Sequence, residues 1–152
     1  MALISMYKLK NRNFLNFAVF VIALLLLCSG NVISQTHKEK EVMKIFNQFE
    51  EGLTSGAVDK FSNYLSSKNY ISLRNGYTGY YSANQSYYVI KDYLSIYQPI
   101  SFKLTNIVSE TSTPFASGVL RYSSKGIRNF AMVFISLQYS NNTWRISQIT
   151  IN

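Results

Sequence analysis

Tyr70-Ile71-Ser72-Leu73-Arg74-Asn75-Gly76-Tyr77-Thr78-Gly79-Tyr80-Tyr81-Ser82-Ala83-Asn84-Gln85 is the stretch on which the fold turns. Residues 70–81 read as a hairpin about Asn75-Gly76, the pair favoured by a type I′ turn. With two turn residues, Ile71 pairs with Tyr80 and Leu73 with Thr78 on one face, and Arg74 and Tyr77 flank the turn on the other. Ser82 and Gln85 then form a capping box, so a helix starts directly behind the second strand. Its apolar stripe is Ala83, Tyr87, Ile90, Leu94 and Tyr97, with Asn84, Lys91 and Ser95 opposite, and Pro99 ends it.

Upstream, Thr36 and Glu39 make another capping box. Val42, Ile45, Phe46, Phe49 and Leu53 share one helical face, which predicts a first helix from about Lys38 to Leu53. Ser55-Gly56 breaks it, and Val58, Phe61 and Leu65 mark a short second helix. Downstream come four strands, roughly Ile100–Glu110, Ala116–Ser123, Ile127–Tyr139 and Thr143–Ile151, separated by turn residues. Two of them change phase: Ile100, Phe102 and Leu104 are followed by Ile107, and Trp144 and Ile146 by Ile149 and Ile151. A change of parity is what a β-bulge produces, and bulges bend sheets. The order α-α-ββ-α-ββββ predicts an α+β domain with a long, curved antiparallel sheet.

The chain has 152 residues, enough for one ordinary domain. With 47% hydrophobic residues it can bury a core. One His and one Cys exclude a His/Cys metal centre and a disulfide framework, and leave almost nothing from which to build a triad. No phosphate loop, dinucleotide fingerprint or nucleophile elbow occurs, so no catalytic residue, metal or cofactor is expected.

Residues 1–34 have the layout of a secretory signal peptide. Lys8, Lys10 and Arg12 precede the apolar run Phe17 to Cys28, and Val32 and Ser34 sit at −3 and −1 of a cut before Gln35. Twelve helical residues span about 18 Å, short of a bilayer core of roughly 30 Å. Lipidation of Cys28 is the alternative, but Leu25-Leu26-Leu27 puts bulky residues where small ones are required. The reading is an exported protein, periplasmic, surface-bound or secreted, with a single domain over residues 35–152. Contact with a membrane is expected only if Cys28 is lipidated. Net charge is +8, and residues 60–152 hold nine cations against Asp92 and Glu110. A basic body suits an anionic envelope surface or nucleic acid, and export makes nucleic acid the remote partner.

The element order, with Phe46-Asn47-Gln48-Phe49-Glu50, Tyr81-Ser82-Ala83-Asn84-Gln85, Val89-Ile90-Lys91-Asp92-Tyr93, Ile100-Ser101-Phe102 and Trp144-Arg145-Ile146, resembles the nuclear transport factor 2-like (cystatin-like) superfamily. Within it the likeness is to an uncharacterised family of small exported bacterial proteins. The resemblance implies a cone in which helices pack in the hollow of the curved sheet. Some superfamily members are isomerases or dehydratases that use a carboxylate or His inside the cone. Here no acid sits mid-strand, where burial would raise its pKa for proton transfer. His37 stands close to the predicted cut, without an orienting partner.

Aromatics are the stronger feature. Nine of the 12 tyrosines lie between Tyr64 and Tyr97, with no Phe among them. Tyrosine suits pocket mouths and interfaces, because its ring is apolar and its hydroxyl wants a partner. The candidate ligand contacts are Phe46, Phe49, Tyr80, Tyr87, Tyr97 and Trp144; if Phe46, Phe49 and Trp144 plug the hollow, no pocket remains there. The Ile127–Tyr139 strand is apolar on both parities, with Ile127, Ala131, Val133, Ile135 and Leu137 on one and Phe130, Met132 and Phe134 on the other. Helices can cover only one side, so a homodimer through the outer face is expected. The functional expectation is a non-catalytic binding or interaction domain for an unknown protein or a small apolar ligand. The alternatives are an isomerase- or hydratase-type enzyme and a structural envelope component.

Overall fold

Val42, Ile45, Phe46, Phe49 and Leu53 are all buried, so the stripe predicted for the first helix is the one that packs. The computed structural model describes residues 37–152, and helix α1 occupies residues 37–55 of them. The leader read at residues 1–34, its cut after Ser34 and Cys28 lie outside the described residues. A short α2 (Asp59–Ser62) follows, and then β1 (Leu65–Leu73), β2 (Thr78–Tyr81), α3 (Ala83–Ile96), β3 (Gln98–Val108), β4 (Phe115–Ser124), β5 (Ile127–Ser140) and β6 (Thr143–Ile151). Leu65 belongs to β1 and not to the second helix. The Ile146 N–H donates to Tyr64 O at 2.7 Å, so a strand some eighty residues away draws this segment into the sheet.

The strands form one sheet in the order β2-β1-β6-β5-β4-β3. Four of its five joins are antiparallel; β1 lies parallel to β6. That join links the first and last strands, and strand order alone gives no sign of it. The helices pack in the hollow of this curved, unclosed sheet, against Ile71, Leu120, Val133, Ile135, Leu137 and Ile146. The capping box of α3 is present as read: Ser82 Oγ accepts from Gln85 N–H, and Gln85 Oε1 accepts from Ser82 N–H.

The first hairpin differs from the sequence reading by one residue. Its pairs are Tyr70 with Tyr80, Ile71 with Gly79 and Ser72 with Thr78. Gly76 N–H donates to Leu73 O at 2.9 Å and Leu73 N–H to Tyr77 O at 2.8 Å, enclosing a three-residue loop. Gly76 has φ +95°, while Asn75 stays out of the left-handed region that a type I′ turn would demand of it. This is a type I turn closed by a glycine bulge, the usual three-residue alternative. One residue of shift sends every side chain of β2 to the other face. Tyr80 therefore points outward beside Tyr70.

Both expected phase changes are bulges. On β6, Gln148 faces Ser136 and Ile146 faces Leu137, which leaves Ser147 extra. On β3, Leu104 faces Gly118 and Asn106 faces Ser117, which leaves Thr105 extra. A further bulge at Ile100, between the pairs of Pro99 and Ser101, turns Ile100 out to solvent and away from Phe102 and Leu104. At the Thr105 bulge β3 bends onto β4 so closely that a Cβ on Gly118 would lie 2.3 Å from Lys103 O and 2.9 Å from Leu104 Cα.

Helix α1 is tied to the sheet at both ends. Glu41 Oε1 accepts from Thr143 Oγ1 at 2.9 Å and from Trp144 N–H at 3.4 Å, at the β5–β6 turn. Glu50 accepts from Lys103 Nζ and from Leu104 N–H, both at 2.8 Å, and Thr54 Oγ1 donates to Phe102 O. Burial alone would raise the Glu50 pKa; Lys103 and the Leu104 N–H outweigh it and hold the carboxyl below its ordinary value of 4.5.

Two stability outcomes follow from this corner. Gly118→Ala must push the β3 backbone away and should cost about 2–3 kcal/mol in urea unfolding, the range of an overpacked core. Glu50→Gln should cost about 1–2 kcal/mol at neutral pH, the worth of a charge-assisted hydrogen bond. Because the folded pKa is the lower one, this contribution is present above pH 4.5 and lost as pH falls through the folded value. The variant should therefore show a flatter acid limb than the wild type, and an unchanged limb would refute the assignment.

Candidate functional site

Helix α3 buries Ser86, Ile90, Tyr93 and Leu94. The sequence stripe through Tyr87 is thus rotated towards Ser86 and Tyr93. The cause is Asn69, a fully buried side chain on β1. Its Oδ1 accepts from Ser66 N–H, and its Nδ2 donates to Ser66 O and Ser86 Oγ, with Tyr81 O a longer, shared contact at 3.4 Å. A buried amide with all of these bonds made fixes the rotation of α3 about its axis. That rotation carries Tyr93 into the hollow.

Tyr93 stacks on Tyr97 with ring centroids 4.5 Å apart, and Tyr97 meets Tyr122 of β4 edge-on at 5.3 Å. Arg74 joins them from the β1–β2 turn. The three-residue loop frees it from the strand, and its Nη1 reaches Tyr122 OH at 3.5 Å and Phe130 O at 3.4 Å. Both bonds are long. Arg74 makes no ion pair among the described residues. The Tyr93 hydroxyl is buried and has no hydrogen-bond partner, an exception that calls for an explanation. Burial raises the pKa of this phenol well above its ordinary value of 10.0; the Tyr122 and Tyr97 hydroxyls raise it further and Arg74 opposes them. In the same turn Asn75 Oδ1 is likewise buried without a partner. The cluster thus groups an unpartnered buried phenol, a second phenol and a guanidinium that makes no ion pair among the described residues.

The six sequence candidates fall in different settings. Phe46 and Phe49 are core residues, and Phe49 packs edge-on against Phe61 and Phe102 at 4.9 and 5.9 Å. Trp144 is buried against Tyr139, with its Nε1 unpartnered. Tyr87 is half-buried at the margin of the core, donates to Asp59 Oδ1 at 3.0 Å and sits under Lys91. Tyr80 is 67% exposed on the outer face, with Lys68 Nζ 4.6 Å above its ring. Of the six, Tyr97 alone joins the cluster. Tyr93, Tyr122 and Arg74 were not singled out, although Ser86, Ile90, Tyr93 and Tyr97 follow helical spacing as well as the stripe chosen.

A family profile described as a domain of unknown function (DUF4783) matches residues 46–152. The chain belongs to the DUF4783 family. Its structure is similar to that of a DUF4783 protein from Bacteroides uniformis, with 16% identity, a TM-score of 0.63, and coverage of 70% of this chain and 94% of that one. It is also similar to a Nostoc punctiforme protein of unknown function with a cystatin-like fold, at 14% identity and TM-score 0.52 over 73% of this chain and 86% of that one. A Catenulispora acidiphila protein with a ketosteroid isomerase-like fold, crystallised with trimethylamine, matches at 10% identity and TM-score 0.57 over 72% and 84%. Identities this low show the nuclear transport factor 2-like architecture and nothing of a reaction. No curated protein matches the chain.

In this DUF4783 domain the unpartnered Tyr93 hydroxyl gives a direct test. Tyr93→Phe should change neutral-pH stability by no more than about 1 kcal/mol, since no hydrogen bond is lost. The wild type should lose stability as pH rises above 10.0, because the unfolded chain ionises this phenol while the folded chain keeps it protonated. The variant should lack that component. Equal alkaline limbs in urea titrations at several pH values would contradict the burial argument.

Proposed function

We propose that this DUF4783 protein is an exported, non-catalytic binding domain whose Tyr93-Tyr97-Tyr122-Arg74 cluster takes a small, largely apolar molecule bearing a carboxylate. The observation that carries this reading is the Tyr93 hydroxyl, buried without a partner in a cluster whose arginine makes no ion pair among the described residues. A carboxylate accepts several hydrogen bonds at once and prefers guanidinium and phenol donors, so it would answer the unused donors together. Tyr97, the half-buried ring of the stack, supplies apolar area for the body of such a molecule. Export rests on the sequence of residues 1–34.

The carboxylates of the domain support binding over catalysis. Glu41 and Glu50 are committed to the sheet, Glu51 pairs with Lys60, and Asp59 accepts from Tyr87. Asp92, Glu110 and the imidazole of His37 are exposed, and Glu39 is half-buried in the first turn of α1. A proton-transfer site needs such a group beside the substrate, and none of these bonds places one at Tyr93, Tyr97 or Tyr122.

Thermal unfolding with phenylacetate and hexanoate, against phenylacetamide and hexanamide, tests the reading. A saturable rise in Tm with at least one acid, and a much smaller one with its amide, is expected; at a hundred times Kd the gain is about 2.7 kcal/mol. Arg74→Met should weaken the acid tenfold or more. Equal effects of acid and amide, or an undiminished effect in Arg74→Met, would sink the carboxylate assignment.

A further inference from the structure

We propose that the β4–β5 hairpin and the outer face behind it form a docking surface for an anionic lipid bilayer. Lys125 and Gly126 make the two-residue turn, both with positive φ, and pair Ser124 with Ile127. Around this tip Ile127 is 70% exposed, Phe130 61%, Met132 49% and Ile100 47%. Arg121 and Arg128 line an open groove of about 570 Å³ with Ile100, Val119, Phe130 and Met132. Arg121, Lys125 and Arg128 form no ion pair among the described residues. No Asp or Glu occurs in β3, β4, β5 or β6, so nothing on these strands offsets the three cations.

The apolar strip is most exposed at this end of the outer face and continues along β5 to the half-buried Phe134, which stacks on Phe115. Further along, Ser66, Lys68, Tyr70, Tyr80, Gln138 and Gln148 line a polar hollow. Exposed apolar side chains interleaved with unpaired cations match the headgroup–acyl boundary, where phosphates meet the cations and hydrocarbon begins within a side-chain length. A second copy, the occupant expected from sequence, would set three unpaired cations against three more with no carboxylate on either sheet. An acidic protein surface would answer the cations and leave the four apolar side chains unmatched. The contact needs no lipid on Cys28.

Sedimentation of the full chain with vesicles of 30% phosphatidylglycerol in phosphatidylcholine, and with phosphatidylcholine alone, tests this. Residues 17–28 are apolar and contribute equally to every variant, so the readout is the anionic-over-neutral ratio of partition coefficients. The ratio should exceed ten at low salt and fall steeply as salt rises. R121Q/K125Q/R128Q should lower it severalfold, to what Lys8, Lys10 and Arg12 sustain, and Ile127→Asn, at the exposed first residue of β5, should lower binding to the anionic vesicles severalfold. A ratio near one for the wild type, or one unchanged by the triple substitution, would overturn the proposal. So would a micromolar homodimer by sedimentation equilibrium that Phe130→Ser dissociates, because the same surface would then be occupied.

Discussion

The hollow that houses the helices exists because β3 bends sharply at Thr105, and the bend requires that Gly118 carry no side chain. An edge strand that kinks also presents an unpaired N–H at the kink, which would cost free energy if left buried without a partner. Glu50 supplies the acceptor to Leu104 N–H and recruits Lys103 to hold its own charge. One helix residue thereby satisfies the bend, tethers α1 across it and fixes the distance at which Phe49 meets Phe102. Small glycine, bulged strand and charged helix residue make sense only together, which is why a change in any one is felt as a change in the sheet.

Element identity was legible from local chemistry. The α1 stripe, the Ser82 capping box and the two phase changes all stand where periodicity and turn residues put them, because each is a short-range matter of backbone and side-chain geometry. Register was less legible. Asn75-Gly76 suits a two-residue turn and also a three-residue turn with a glycine bulge, and the choice reversed the face of Tyr80. The parallel join of β1 with β6 and the transfer of Leu65 into β1 depend on a partner strand far along the chain, for which local sequence carries no signal. The outward bulge at Ile100 was missed for a related reason: parity before and after it is compensated by the bulge itself.

The tyrosine cluster was half legible. Enrichment of Tyr around the hairpin and α3 pointed to the right neighbourhood, and Ile90 and Leu94 of the expected stripe are buried, but Ser86 and Tyr93 are buried beside them where Ala83 and Tyr87 are only half-buried. Asn69 sets the difference. A polar residue inside a strand is a poor advertisement for a core position, and it becomes one only because Ser66 and Ser86 satisfy its amide. Arg74 likewise gains its role from the extra loop residue, which lets it reach the β4–β5 hairpin.

Charge is divided between the two sides of the sheet in a way that bears on both proposed surfaces. Four of the carboxylates, Glu41, Glu50, Glu51 and Asp59, are spent on bonds that hold the helices to the sheet or to one another. The four long strands carry only cations. Folding therefore neutralises the helical side internally and leaves the sheet with a surplus of positive charge, strongest at the β4–β5 tip. Arg74, from the neighbouring turn, touches Phe130 O, whose side chain belongs to the outer strip. The tyrosine site and the basic tip thus share a strand backbone at Phe130, so an anion drawn to one side lowers the electrostatic cost of the cations on the other at low ionic strength.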